Sequence, residues 1–228
     1  MWKEIRKKVI VLGATGGLGA KIAEHLSSTK YSSFDVIAIS RGKIVSHLGE
    51  DRIEFDAANH LVNSQFYADL ILKFDPIWAV VDATGFSQSG KFINQTWEST
   101  QEHIDVNLLN PMNIISAFGK YMEKNGGRLI FFSSILVHKE VFGTAPYSVS
   151  KVGLEQLIFA ASSECKNENF KVLGIRLGYF DFGMIRQLSS QQFQALEKIN
   201  VFESIIETLD SILCESNELK TGAILEIS

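Results

Sequence analysis

Residues 8–26 read KVIVLGATGGLGAKIAEHL, and this stretch decides the fold. The apolar, β-branched run from Lys8 to Leu12 predicts a strand. The glycine-rich turn GATGGLG follows it, and the next residues carry apolar side chains at helical spacing. Strand, glycine-rich turn and helix in this order are typical of a dinucleotide-binding unit. Glycines let the backbone approach a ligand closely, and the helix N-terminus offers unpaired N–H groups to a pyrophosphate.

The glycines of this turn satisfy two spacings at once. One spacing uses Gly13, Gly17 and Gly19, and the other uses Gly13, Gly16 and Gly19. The sequence alone does not choose between them.

Composition narrows the class of protein. The 228 residues are 46% hydrophobic and 21% charged, which favours one domain spanning residues 1–228. A net charge of −4 without a basic block argues against nucleic acid as a partner. No apolar run approaches the roughly 20 residues needed to cross a bilayer, and no signal-peptide pattern precedes the first strand, so we expect a cytoplasmic protein without a membrane partner. Cys165 and Cys214 predict free thiols, and the five histidines show no ligand-like pairing, so we expect no metal site.

Strand and helix patterns alternate along the rest of the chain. Further strands are predicted at 34–40, 53–55, 77–81, 129–132, 170–175 and 223–227, and helices at 64–74, 96–122, 147–164 and 201–214. This alternation predicts an α/β fold: a single-domain, Rossmann-type, doubly wound parallel sheet flanked by helices on both faces. The polar segment 183–200 predicts a flap over a substrate site.

The predicted strand ends supply candidate cofactor contacts. The strand at 34–40 ends at Ser40 and Arg41, with no carboxylate. An acidic residue there favours NAD, whereas an arginine accommodates the 2′-phosphate, so NADP(H) is favoured over NAD(H). Asp56, after the third strand, is placed to touch the adenine edge. Residues 82–85, Asp-Ala-Thr-Gly, follow the fourth strand, and the glycine suggests a close approach to a ligand.

Residues 126–151 carry the candidate chemistry. Tyr147 and Lys151 are four residues apart on a predicted helix, so they share one face, and the ammonium should lower the pKa of the phenol. Ser134, at the end of the preceding strand, could hold the same substrate oxygen. Asn107 interrupts an apolar helix face, so it is either a structural bridge or part of a polar site. A Tyr-x-x-x-Lys spacing also occurs by chance in many helices.

Taken together, these residues resemble the signature of the short-chain dehydrogenase/reductases, and the resemblance covers essentially the whole chain. The residues that carry it are Gly13, Gly17, Gly19, Asp56, Asn107, Ser134, Tyr147 and Lys151. The length and the Asn-Ser-Tyr-Lys tetrad resemble the short-type subfamily, although Gly16 would also suit the extended epimerases.

The resemblance implies a role for each member of the tetrad. Tyr147 would be the general acid for carbonyl reduction, and Lys151 would lower its pKa and hold the nicotinamide ribose. Ser134 would orient and polarise the carbonyl, while Asn107 would anchor a water that links Lys151 to solvent. A homodimer or homotetramer is also implied. The full set of expected cofactor contacts is Gly13, Thr15, Gly16, Gly17, Leu18, Gly19, Ser40, Arg41, Asp56, Ala57, Ala83, Thr84, Gly85, Tyr147, Lys151 and Gly178.

The chain departs from the family pattern at four places. Leu12 stands where Thr or Ser usually precedes the first glycine, and Asp82 opens a turn that usually reads Asn-Asn-Ala-Gly. Leu177 and Gly178 replace a Pro-Gly, and Phe182 lies near an expected threonine. These changes bear on cofactor affinity and nicotinamide orientation.

Three functions stay open at this point. The first is an NADPH-dependent oxidoreductase that interconverts a ketone or aldehyde and an alcohol. The second is a family member that binds a dinucleotide as a regulatory or structural ligand, and the third is epimerase or dehydratase chemistry on a nucleotide sugar. The aromatic residues after the sixth strand predict an apolar carbonyl substrate rather than a charged one.

Overall fold

The computed structural model describes residues 6–28, 34–46, 49–52, 55–180, 199–200, 202–214 and 219–227. Its strands are β1 (Lys7–Leu12), β2 (Phe34–Ser40), β3 (Lys43–Ser46), β4 (Gly49–Arg52), β5 (Ile77–Asp82), β6 (Gly127–Ser134), β7 (Phe170–Leu177), β8 (Tyr179–Phe180), β9 (Ile199–Asn200) and β10 (Ile224–Ile227). Its α-helices are α1 (Gly17–Leu26), α2 (His60–Phe74), α3 (Trp97–Ile104), α4 (Asn110–Asn125), α5 (Ala145–Glu164) and α6 (Phe202–Cys214). A π-helical turn, Asp105–Leu109, joins α3 to α4.

One eight-stranded sheet organises the molecule. Its strand order is β10-β7-β6-β5-β1-β2-β3-β4, and neighbouring strands from β10 to β2 pair in parallel. The chain leaves β1 toward β2 on one side and later returns to β5 on the other. This reversal places a crevice at the carboxyl ends of β1 and β5, which is where ligands bind in such sheets. The predicted doubly wound α/β fold is confirmed.

Helices cover both faces of the sheet. Along β1, Val9 and Val11 belong to one buried cluster, with α1 and α6, because successive side chains of a strand point to opposite faces. Ile10 and Leu12 belong to the other cluster, with α2, α4 and α5. The central strand β6 is buried along its whole length, as a strand covered on both faces must be.

The edge of the sheet differs from the prediction of a third strand at 53–55. The chain makes an antiparallel hairpin of β3 and β4 instead. Phe55 lies outside any strand, and its ring stacks on Phe66 at a centroid distance of 5.1 Å. Residues 53–54 are outside the described part of the chain. For Phe55, the apolar signal therefore reflects packing against α2 rather than sheet pairing.

The predicted helix at 96–122 is divided in three by the π turn between α3 and α4. The hydroxyl of Thr96 caps the start of α3 by accepting a hydrogen bond from the backbone N–H of Ser99. At the other end, α4 continues to Asn125 and stops at Gly126, whose φ of 76° is left-handed. The helical pattern of residues 96–122 did not indicate the π turn.

Strands β8 and β9, of two residues each, were not predicted, whereas the remaining elements agree with the prediction within a few residues. Helix α5 begins at Ala145, two residues earlier than predicted, because Pro146 suits the first turn of a helix. The predicted flap at 183–200 lies outside the described residues except for β9. Among the helices that are described, none combines the length and apolar character that a membrane crossing requires.

Candidate functional site

The glycine-rich turn after β1 is sterically constrained at two positions. Gly13 has a φ of 76°, and a Cβ there would lie 2.8 Å from the backbone oxygen of Ala83. A Cβ on Gly19 would lie 2.3 Å from the backbone oxygen of Gly13. Both proposed glycine spacings share these two residues. A Cβ on Gly16 would meet the nearest atom at 3.4 Å, so this third position is far less crowded.

The start of α1 is suited to an anion. Gly16 is the N-cap residue and has no side chain that could accept a hydrogen bond from the first turn. The first-turn N–H groups, which include those of Leu18 and Gly19, therefore have no capping side chain, and they carry the positive end of the helix dipole. Thr15 precedes the cap in the same turn. A pyrophosphate would fit this combination of close backbone approach and free donors.

The residues expected at the adenosine end lie after β2 and before α2. Ser40 is buried and ends β2, while Arg41 is exposed in the two-residue turn that leads into β3. The carboxylate of Asp56 accepts a hydrogen bond from the N–H of Ala58 at 3.1 Å, so Asp56 opens the turn before α2 rather than ending a strand. Ala57 is half-buried in that turn.

The candidate catalytic side chains meet where β6 ends and α5 begins. Ser134 ends β6, and its hydroxyl hydrogen-bonds to the hydroxyl of Tyr147. One helical turn later, the ammonium of Lys151 lies 5.7 Å from the ring centroid of Tyr147 and donates to the backbone oxygen of Phe132 at 2.8 Å. All three polar side chains are buried. The structure thus brings together the residues that the spacing of 134, 147 and 151 predicted.

Asn107 lies nearby, in the π turn, and its side chain serves as a bridge. Its Oδ1 accepts from the N–H of Phe86 at 3.0 Å, and its Nδ2 donates to the oxygen of Phe86 at 2.8 Å and to Oγ of Ser150 at 3.0 Å. These three bonds tie the loop after β5 to α5. These contacts make Asn107 a structural bridge, and its place in a polar site stays a prediction.

The pKa of Tyr147 differs from the sequence expectation. Burial raises it to about 12, and only the hydrogen bond with Ser134 opposes this effect. Lys151 was expected to lower the pKa of Tyr147, but Lys151 itself loses its proton more readily than a free lysine. Burial lowers the pKa of Lys151 to about 8, while the negative charge of Asp82 acts to raise it. The expected lowering was wrong for this structure, because burial disfavours the phenolate more than the hydrogen bond with Ser134 favours it.

The turn after β5 contains a buried carboxylate. Asp82 accepts hydrogen bonds from Thr84, through the backbone N–H at 3.0 Å and the hydroxyl at 2.6 Å. The backbone N–H of Ala83 donates to the oxygen of Leu12 at 3.1 Å, which fixes this turn beside the glycine-rich turn. Gly85 follows and is exposed.

Gly178 follows β7, where its N–H donates to the oxygen of Ile227 in β10 at 2.9 Å. Phe182 lies outside the described residues. Among the residues that are described, no cluster of three or more His, Cys, Asp or Glu could hold a metal ion.

Comparison with known protein families identifies the family to which this chain belongs. The family model for short chain dehydrogenases matches residues 7–193. The chain belongs to the short-chain dehydrogenase family. It is therefore an NAD(P)-dependent oxidoreductase, as the resemblance of its residues implied.

Among curated relatives of this short-chain dehydrogenase is the 3-oxoacyl-(acyl-carrier-protein) reductase FabG of Rickettsia felis. The two are 29% identical over 196 residues, which cover 83% of this chain and 79% of that protein.

Solved structures share the fold at low sequence identity. A candidate NAD(P)-dependent gluconate 5-dehydrogenase from Beutenbergia cavernae, solved with bound NADP, superposes with a TM-score of 0.81 at 18% identity and covers 96% of this chain and 94% of its own. A 4-hydroxyisoleucine dehydrogenase complexed with NADH gives a TM-score of 0.78 at 19% identity, over 97% and 96%. These similarities show the fold, and the two neighbours hold different nicotinamide cofactors.

A groove opens beside the first turn of α5 in this short-chain dehydrogenase, and the sequence did not predict it. Its volume is about 390 Å³. Large apolar side chains line it, with Phe92 57% exposed and Phe142 71% exposed. Two loops form its walls, joined by a backbone hydrogen bond from Gly90 to Gly143 at 3.0 Å. The sequence signal that could have indicated this groove is one phenylalanine in each wall, Phe92 and Phe142. Apolar side chains exposed next to a polar site are typical of a substrate wall.

Proposed function

We propose that this chain is an NADP(H)-preferring reductase of ketones or aldehydes, or the corresponding dehydrogenase in reverse. One observation carries the proposal. Ser134, Tyr147 and Lys151 are buried together at the carboxyl edge of the sheet, on the same edge as the glycine-rich turn. The test is to incubate the protein with NADPH or NADH and a panel of carbonyl compounds and follow the nicotinamide absorbance. Oxidation of neither cofactor by any carbonyl would overturn the proposal.

The residues present fit a dinucleotide. The turn at 13–19, where an added Cβ would collide with backbone, and the uncapped start of α1 would hold the pyrophosphate. Ser40 and Arg41 would face the adenosine ribose, and Asp56 with Ala57 the adenine. The turn 83–85, Lys151 and Gly178 would border the nicotinamide half. When bound, the nicotinamide supplies or accepts the hydride at the carbonyl carbon.

The side chains would then handle the proton. The hydroxyl of Ser134 would hold the carbonyl oxygen, and Tyr147 would donate its proton to that oxygen. A pKa of about 12 keeps Tyr147 protonated across the physiological range, so it starts each reduction as an acid. The phenolate that remains is stabilised by the positive charge of Lys151, provided that Lys151 keeps its own proton.

The groove beside α5 supports a substrate with an apolar body. It is walled by Phe92, Ile93, Val141 and Phe142, and it removes apolar substrate surface from water at a gain of roughly 25 cal/mol per Å². Lys91, Lys139 and Glu140 also line it, and Lys91 could pair with an anionic group on such a substrate. The substrate of the Rickettsia relative, by its name a 3-oxoacyl group on a carrier protein, combines a carbonyl with an acyl chain. We therefore place apolar ketones ahead of nucleotide sugars in the panel.

Cofactor preference can be tested at the turn after β2. Arg41→Ala should weaken NADPH binding by about tenfold or more and leave NADH binding nearly unchanged, because only NADPH carries a 2′-phosphate that a guanidinium can bind through charge-assisted hydrogen bonds. Fluorescence titration with both cofactors measures this. Arg6→Ala is the matched control, since Arg6 is exposed and lies 3.4 Å from Asp35 at the opposite end of the strands. Equal losses for both cofactors in the Arg41 variant would exclude phosphate recognition.

Self-association stays a prediction, and an exposed stripe of α5 supports it. Val149, Val152 and Phe159 lie at helical spacing and are 63%, 49% and 47% exposed. Burying such a stripe against a second copy would remove apolar surface from water, so we expect a homodimer or homotetramer. Sedimentation velocity should show a species of at least twice the chain mass, and a monomer at micromolar concentration would contradict this.

Cys165 is a free thiol, which is compatible with the predicted cytoplasmic location.

A further inference from the structure

Asp82 is a buried acid at the carboxyl end of β5. It is 4% exposed and stands where the resemblance led us to expect an asparagine. Strand alternation places it on the face of the sheet covered by α2, α4 and α5, because its neighbour Val81 packs on the other face. Lys151 of α5 is buried over the same face and donates to the oxygen of Phe132, the residue of β6 next to Phe131, which pairs with Asp82. A buried acid that replaces a neutral amide must have its charge stabilised by the groups around it.

A chain of hydrogen-bond donors points toward this carboxylate. The hydroxyl of Tyr67 donates to Oδ1 of Asn110 at 2.6 Å, and Nδ2 of Asn110 donates to Oγ1 of Thr84 at 3.2 Å. The hydroxyl of Thr84 then donates to Oδ1 of Asp82 at 2.6 Å. Every donor in the chain points the same way, and such a series ends naturally at an acceptor that is an anion.

The charged and titratable groups near Asp82 and Lys151 come from α2 and α5. Tyr67 from α2 and Lys151 from α5 act electrostatically with Asp82. Tyr147 lies next to Lys151 on α5. The next acid on α5, Glu155, is bound by Arg176 through two bonds of 2.9 and 2.7 Å, so its charge is already balanced.

We propose that Asp82 is a positioning residue for Lys151: its carboxylate, held as an anion by the donor chain from Tyr67, keeps the buried ammonium charged. Lys151 needs that charge to hold the cofactor ribose and to stabilise the phenolate of Tyr147. An asparagine at this position would supply hydrogen bonds but no charge. The effect on turnover rests on the proposed function, whereas the effect on the charge of Lys151 does not.

The pH range in which Asp82 and Lys151 are both charged follows from their two shifted pKa values. Burial raises the pKa of Asp82 to about 6 and lowers the pKa of Lys151 to about 8. Between these values both groups are charged and attract each other. Burial disfavours the charged form of Lys151, and the attraction to Asp82 opposes this effect. Without the carboxylate that opposition is lost, so Lys151 should lose its proton at a lower pH.

The first experiment follows Lys151 directly in the whole chain. Protein labelled with ¹³C at the lysine ε-carbons is titrated by NMR, and the Lys151 signal is identified by its loss in Lys151→Met. In Asp82→Asn the titration midpoint of Lys151 should move to lower pH. Asp75→Asn is the matched control, because Asp75 lies at the opposite end of β5, where it accepts from the hydroxyl of Tyr121 at 2.6 Å. An unchanged midpoint in Asp82→Asn would overturn the proposal.

A second variant covers the case in which Asp82→Asn does not fold, which circular dichroism would reveal. Thr84→Val keeps the carboxylate but removes the hydroxyl that donates to it. Since that hydrogen bond lowers the pKa of Asp82, its loss should move the acidic inflection of the Lys151 signal to higher pH. An acidic inflection at the same pH as in the unsubstituted protein would contradict the proposal.

Turnover provides a readout that a merely structural role would not change. In Asp82→Asn, the ratio of kcat at about pH 9 to kcat at about pH 7 should fall below that of Asp75→Asn, by about fivefold for a Lys151 pKa that is one unit lower, because Lys151 is then less protonated at both pH values but loses more at pH 9. If the protein reduces no carbonyl at all, the proposed function fails, and the NMR midpoint still decides the role of Asp82. A parallel loss of kcat at all pH values, with an unchanged midpoint, would show a structural role only.

Discussion

Tyr147→Phe is expected to lower turnover by about 100-fold or more, the usual scale for loss of a general acid. The phenyl ring fills the same buried space, so the fold and cofactor binding should be nearly unaffected. What disappears is the hydroxyl that hydrogen-bonds to Ser134 and would protonate the substrate oxygen. Steady-state kinetics at saturating cofactor measure the change in kcat.

Tyr121→Phe is the matched control for this variant. The hydroxyl of Tyr121 accepts from the N–H of Ile77 at 3.0 Å, at the amino end of β5 and far from the carboxyl edge. The same hydroxyl donates to Asp75 at 2.6 Å, so its loss should cost about 1–3 kcal/mol of stability and leave turnover unchanged. Normal turnover in Tyr147→Phe, or an equal loss in both variants, would remove Tyr147 from the mechanism.

Gly19→Ala should have the largest effect on stability. Its Cβ would lie 2.3 Å from the backbone oxygen of Gly13, and backbone cannot move aside as a flexible side chain can. Helix α1 would have to shift away from β1, at a cost of about 3 kcal/mol, which corresponds to a Tm lower by about 6–12 °C for a chain of this size. Binding of either cofactor should weaken about tenfold or more, because the turn is distorted. Calorimetry and fluorescence titration measure the two losses.

Gly16→Ala separates crowding from the general cost of replacing a glycine. Gly16 has a φ of −75° and a ψ of 163°, which any residue can adopt, and its nearest contact would be 3.4 Å. We expect a stability loss of about 1 kcal/mol or less. Equal destabilisation by the two substitutions would show that close approach at Gly19 is not what limits this turn.

Local signals in the sequence predicted most of the fold. The strand, glycine-rich turn and helix at 8–26 were predictable because each depends on adjacent residues: an apolar run, glycines where a side chain would collide, and helical spacing. Ser134, Tyr147 and Lys151 were predictable because spacing along one strand and one helix fixes their relation. Strands β3 and β4 were missed because each has only four residues and β4, at the edge of the sheet, is polar, as edge strands commonly are.

The electrostatics of the site could not be predicted in the same way. The pKa of Tyr147 depends on burial by elements distant in sequence, and the sequence showed only the lysine four residues away. The hydrogen bonds from Tyr67 through Asn110 to Thr84 join α2, α4 and the turn after β5, which no pattern in the sequence connects. Asp82 was noted as a departure from the family pattern, but its partners became visible only in the folded structure.

Isotope transfer tests the central claim most directly. The protein is incubated with NADPH that carries deuterium in place of both hydrogens at C4 of the nicotinamide, together with an apolar ketone that it reduces. We expect deuterium on the carbinol carbon of the product, detected by mass spectrometry or NMR, at a rate that falls by about 100-fold or more in Tyr147→Phe. Absence of transferred deuterium, or transfer at the same rate in Tyr147→Phe, would contradict the proposed reduction with Tyr147 as general acid.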